Sequence, residues 1–211
     1  MTVQARNRWL VEELAVLDSF SHPVDVQDFL DRLDYAPGGG GFSPRLVLRE
    51  RRAQCFSGAL FAAAALRRLR HPPLLVDLRA VNDDDHVLAV FKRGACWGAV
   101  GKSNFTTLRY REPAYRSLRE LVMSYFDFYF NAHGQKSLRS YSRPLDLRAF
   151  DDVPWMFAEH RLDEVEEKLE ALPHYELLTP SMVRALRPAS PIVLEAGLMG
   201  SNPAGLFQPD P

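Results

Sequence analysis

Residues 55–70, CFSGALFAAAALRRLR, constrain the fold more than any other part of the chain. Alanine and leucine, both strong helix formers, dominate the run, and Pro72-Pro73 close it. The segment is apolar on most sides, and such a helix needs cover nearly all round. It is therefore predicted to be a central, buried helix. Three short aliphatic segments follow, Leu74–Ala80, His86–Lys92 and Ala95–Val100, each bounded by turn chemistry and read as a strand. Asn82-Asp83-Asp84-Asp85 joins the first two, and Lys92-Arg93-Gly94 makes a tight hairpin between the second and third. The expected order is helices, one central helix, a small meandering antiparallel sheet, then helices. That is an α+β class, not alternating βαβ units.

Apolar spacing predicts further helices at 6–18 (Trp9, Leu10, Leu14, Leu17), 23–34 (Val26, Phe29, Leu30, Leu33), 114–130 (Tyr115, Leu118, Leu121, Val122, Tyr125, Phe126) and 152–172. A short charged helix is expected at 44–52 and another strand within 137–147. Gly38 to Gly41 read as a linker or a loop near a site; no GK[ST] follows, so they do not make a phosphate loop. From Pro188 onward there are five prolines, three glycines and no period, which predicts an extended tail ordered only where it docks. The organisation expected is one domain, 1–187, with its core at about 44–147, and a tail, 188–211.

The net charge is -1, so no global field draws the chain to nucleic acid or to a membrane. Seven arginines against Glu50 within 44–70 form a locally basic stretch, read as solvated helix faces or as a basic rim beside a pocket for an acidic substrate or RNA. The first residues, MTVQARNRWLVEELAVL, are interrupted by charge and lack a signal-peptide or membrane pattern. Two cysteines make neither a disulfide framework nor a zinc site. A cytoplasmic protein with free thiols, no metal and no organic cofactor is expected.

Cys55 falls where the central helix begins. A free thiol, with a pKa of about 8.5, is mostly protonated at neutral pH; the positive end of a helix favours its thiolate. The unpaired N–H groups of a first helical turn can also receive a developing oxyanion. The Cys55 N–H and the Gln54 side-chain amide are candidates for that role. His86 opens a strand that is expected to pack on this helix, and histidine is the side chain suited to acid–base work near neutrality. A third group should orient the imidazole; Asn104 is the candidate, Ser103 the alternative, while Asp85 should point to the opposite face of the strand. Trp97, Phe105 and Tyr110 are candidates for lining an acyl groove, and Arg109 with Arg111 for a carboxylate or phosphate. Core packing and salt-bridged loops are the plainer readings of these residues.

The order Cys55-x3-Ala59, Leu66-Arg67-Arg68-Leu69-Arg70-His71-Pro72, a strand, His86, and a strand bearing Trp97 resembles the transglutaminase-like (papain-like cysteine) superfamily over about residues 52–104. His86 follows Cys55 by 31 positions, and Gly101 stands where that family carries its Asp, four residues after the Trp. The resemblance implies a papain-like core and peptidase, amidase or transglutaminase chemistry on a peptide, protein or small amide. In that chemistry Cys55 is the nucleophile, His86 the base and Asn104 the substitute third member. Without a third member, the resemblance implies a catalytically inactive domain that binds a protein partner.

Overall fold

The computed structural model describes residues 8–38 and 41–210. Gly39 and Gly40, in the glycine run, lie outside them. Helix α1 (Val11–Asp18) and helix α2 (Pro23–Asp31) come first. Asp25 fixes the start of α2 by accepting the N–H groups of Ser21 and His22, at 2.7 and 2.8 Å, and these bonds lower its pKa. A two-residue strand β1 (Asp34–Tyr35) pairs in parallel with β2 (Arg52–Ala53), on either side of helix α3 (Pro44–Glu50). Ser43 caps α3 through its Oγ, and Arg51, in a left-handed conformation (φ 55°), ends it.

The central helix α4 spans Cys55–Arg68, and every residue from Phe56 to Leu66 is buried. It packs on one face of an antiparallel sheet built from β3 (Leu74–Ala80), β4 (His86–Arg93), β5 (Cys96–Val100), β6 (Arg111–Tyr115), β7 (Leu138–Ser142), β8 (Leu145–Asp146) and β9 (His174–Glu176). The strand order is β6-β5-β4-β3-β7-β9, with β8 also on β3. The period of two along β4 sorts its side chains between two cores. Val87, Ala89 and Phe91 face α4, whereas Leu88 and Val90 face helix α5 (Leu118–Phe126) with Val76, Leu78, Leu121 and Tyr125. The mixed α+β architecture, with its buried central helix, is as the sequence indicates. Among the described residues no helix is long and apolar enough to cross a membrane.

Several expected elements differ in extent. The helix anticipated at 114–130 begins only at Leu118, because Arg111–Tyr115 is the edge strand β6. Its alternating half-buried and exposed residues have the period of a strand, and Pro113 is tolerated because the strand lies at the sheet edge. The helix expected at 152–172 contracts to α6, Asp163–Glu170. Helix α7 (Pro180–Arg184) follows β9, and the C-terminal region holds helix α8 (Pro191–Leu198) and a 3-10 turn, Pro203–Gly205, so it is not extended throughout.

Candidate active site

Cys55 is the first residue of α4, and Gln54 is its N-cap. The Gln54 Oε1 accepts the Phe56 N–H at 2.8 Å and the Cys55 thiol at 3.0 Å. Gln54 therefore turns its oxygen, not its amide N–H, toward the helix end, which is a capping geometry rather than an oxyanion donor. The Cys55 Sγ also lies 3.8 Å from the carbonyl oxygen of Asp85. Burial pushes the thiol pKa up to about 12; hydrogen bonds from the Val87 and Phe56 N–H groups oppose this, and the charges of Asp84 and Asp77 add to it. The nearby arginines do not offset the burial. Arg51 stacks over Phe29 and Arg52 over Phe42, with guanidinium-to-ring distances of 4.7 and 5.5 Å.

His86 opens β4 and, alternating with Leu88, turns toward the α5 side of the sheet, with its ring 6.4 Å from that of Tyr129. Its Nε2 lies 3.0 Å from the carbonyl oxygen of Leu108. A carbonyl can only accept, so Nε2 carries the proton and Nδ1 holds the lone pair. Burial lowers the imidazole pKa to about 4. Among the described residues, no hydrogen bond joins the Cys55 Sγ to either ring nitrogen. The raised thiol pKa and the lowered imidazole pKa both favour the uncharged forms. Both groups are therefore neutral in this arrangement.

The group bonded to the His86 ring is main chain, the Leu108 carbonyl. A Cβ on Gly101 would stand 3.3 Å from His86 Nε2 and 3.5 Å from the Leu108 carbonyl oxygen. Gly101 is itself held by Gln27, a buried residue of α2, which accepts its N–H and donates to its C=O, each at 3.0 Å. Asn104 does not touch His86. Its amide is paired with Asn202, accepting the N–H at 2.8 Å and donating to the C=O at 2.9 Å. The Ser103 Oγ accepts the Phe105 N–H. The orienting carbonyl of Leu108 could not be found by looking for side chains. Gln27 did leave a signal, as a lone amide on the apolar face of α2.

Cys55, His86, Gln54 and Asn104 share one cavity of about 400 Å³, walled also by Tyr35, Phe105, Tyr129, the acidic turn Asp83–Asp85 and residues 204–207. Asp83 is pushed up to about 6, chiefly by burial, despite its bond from Ser137 Oγ at 2.5 Å. Of the groove residues expected from sequence, Phe105 lines this cavity, whereas Trp97, Arg109 and Tyr110 do not. Trp97 sits at the hairpin end of the sheet beneath the Lys92 ammonium; Tyr110 stacks on Phe91 at 6.3 Å; and Arg109 pairs with Asp31 at 3.0 Å. No protein-family model matches the chain, and no curated protein matches it. Both cysteines are free thiols, and the described residues contain no group of three or more His, Cys, Asp or Glu side chains able to hold a metal.

Proposed function

We propose that the chain is a cysteine-dependent acyl-transfer enzyme with a transglutaminase-like core, acting on an amide or ester carbonyl. The observation that carries this reading is the shared cavity, in which a thiol at the first turn of α4 and an imidazole with a fixed tautomer face the same space. Cys55 attacks the carbonyl carbon, its proton passes to His86 Nδ1, and the leaving amine or alkoxide takes that proton as the C–N or C–O bond breaks. The thioester then goes to water or an amine, with His86 as base. Leu108, acting through its carbonyl, does for His86 what a carboxylate does in other cysteine–histidine sites, without adding charge. Because both groups are neutral at rest, the proton passes to His86 as the thiol attacks a bound carbonyl.

A second reading, an inactive domain that binds a peptide partner, is favoured by the raised thiol pKa and by the lack of any bond between Sγ and the ring. Incubation with p-nitrophenyl acetate separates the two. The enzyme reading expects a burst of p-nitrophenolate, acetylation of Cys55 seen by mass spectrometry, and deacylation slowed at least 100-fold in His86→Ala. Acetylation of Cys55 no faster than of Cys96, with no dependence on His86, supports the binding domain instead.

A further inference from the structure

The C-terminal segment crosses the cavity on side-chain amides. Besides the two-way pairing of Asn104 with Asn202, Asn82 pairs with both main-chain groups of Asp210, at 2.7 and 3.2 Å. Thr106 holds the approach to this stretch, with its N–H on Gly197 O at 3.1 Å and its Oγ1 on Met199 O at 2.6 Å. A carboxamide carries the donor and acceptor of a peptide group, so such pairing holds a main chain as a strand neighbour would.

Residues 202–207 each have a physical role. The Asn202 Oδ1 accepts the Ala204 N–H at 3.1 Å, and its carbonyl accepts the Gly205 N–H at 3.0 Å, closing the turn. Pro203 fixes the backbone at the second turn position. Gly205 lies flat on Tyr35: a Cβ there would stand 2.6 Å from the ring Cε1 and 3.3 Å from Asn104 Nδ2. Leu206 and Phe207 then line the cavity that holds Cys55 and His86. A second cavity, of about 570 Å³, adjoins on the other side of Asn202 and shares Tyr35, Ser103 and Asn104 with the first. Residues 200–202 line the second cavity and residues 204–207 the first, so the segment borders a groove made of both.

We propose that this groove is a recognition site for an Asn-Pro-x-Gly turn followed by an apolar residue, and that residues 202–207 of this chain are its resident ligand. The turn is preformed by its own hydrogen bonds and by proline, which lowers the ordering cost of binding. Tyr35 selects glycine at the fourth position, and Asn104 reads the main chain of the first. Tethering gives the resident segment an effective concentration in the millimolar range, so a peptide from another molecule competes only when the segment is released. The proposal rests on the acyl-transfer reading only for the fate of a bound peptide, not for its recognition.

The test uses full-length protein and a fluorescein-labelled peptide of residues 199–210, with binding followed by anisotropy. Gly205→Val should release the segment, seen as faster hydrogen exchange at the Asn202 amide. It should bind the peptide at least tenfold more tightly than wild type does. A peptide with valine in place of that glycine should bind at least tenfold more weakly, and Asn104→Leu in the Gly205→Val background should lose about tenfold. The proposal is overturned if the Asn202 amide stays protected in Gly205→Val, or if both peptides bind the released protein equally or not at all. Loss of p-nitrophenyl acetate turnover with peptide binding intact would count against the enzyme reading alone.

Discussion

His86 donates its Nε2 proton to the carbonyl oxygen of Leu108 at 3.0 Å, in a space that an Asp side chain would need if one replaced Gly101. The neutral acceptor fixes the ring and favours the imidazolium only in part, and burial outweighs it, lowering the pKa to about 4. In the unfolded chain the ring takes its proton near pH 6.5. The unfolded state therefore binds more protons between about pH 6.5 and 4. The stability contributed by neutral His86 is complete above that window and lost as pH falls through it, by about 3 kcal/mol. Gln at this position can keep the donated bond without titrating. Urea denaturation at pH 7 and pH 4.5 should show wild type losing more stability than His86→Gln over that interval.

Asp83 works in the opposite direction. Burial raises its carboxyl to about 6, so the folded state binds the extra proton between about pH 3.8 and 6, and stability falls as pH rises through that range. Asp83→Asn keeps an acceptor for the Asp84 N–H, can donate to Ser137 Oγ through its Nδ2, and removes the buried charge. The variant should be about 2 kcal/mol more stable than wild type at pH 8, with the advantage shrinking toward pH 4. Equal denaturation midpoints at pH 8 would show that the charge is solvated in solution.

Lys102 closes the end of α2. Its ammonium donates to the carbonyls of Leu30 and Leu33 at 2.9 and 2.6 Å, and burial lowers its pKa to about 8. Below pH 8 both states carry the charge. Between about pH 8 and 10.5 only the unfolded chain keeps it, so stability rises with pH there, and neutral lysine still donates. Lys102→Met leaves both carbonyls without this donor and should cost about 1–3 kcal/mol at pH 7.5. The deficit relative to wild type should be larger at pH 10, as read from paired urea titrations.

Gln27 links the helical layer to the site by holding both main-chain groups of Gly101. Gln27→Met keeps the volume and leaves a buried N–H and C=O without this partner, a loss of about 2–4 kcal/mol. Gly101 lies against His86, so the same variant should broaden the His86 ring resonances and slow acetylation of Cys55, while alkylation of Cys96 stays unchanged. A variant that loses stability with unaltered His86 resonances would limit Gln27 to packing.

The sequence by itself determined the central helix, the three strands that follow it and the placement of Cys55 and His86 at the openings of α4 and β4. These are local properties: helix formers, proline stops, and aliphatic runs between turn residues report on the few residues around them. Tertiary structure alone decided what surrounds those two side chains. Whether Cys55 is a thiolate depends on its desolvation set against a helix end; here burial outweighs the dipole. The partner of His86 is a carbonyl 22 residues away, and every residue has a carbonyl, so no pattern of side chains marks it. Asn104 has the chemistry to orient an imidazole, yet it pairs with Asn202, 98 residues along the chain, because an amide bonds equally well to any peptide group brought within reach.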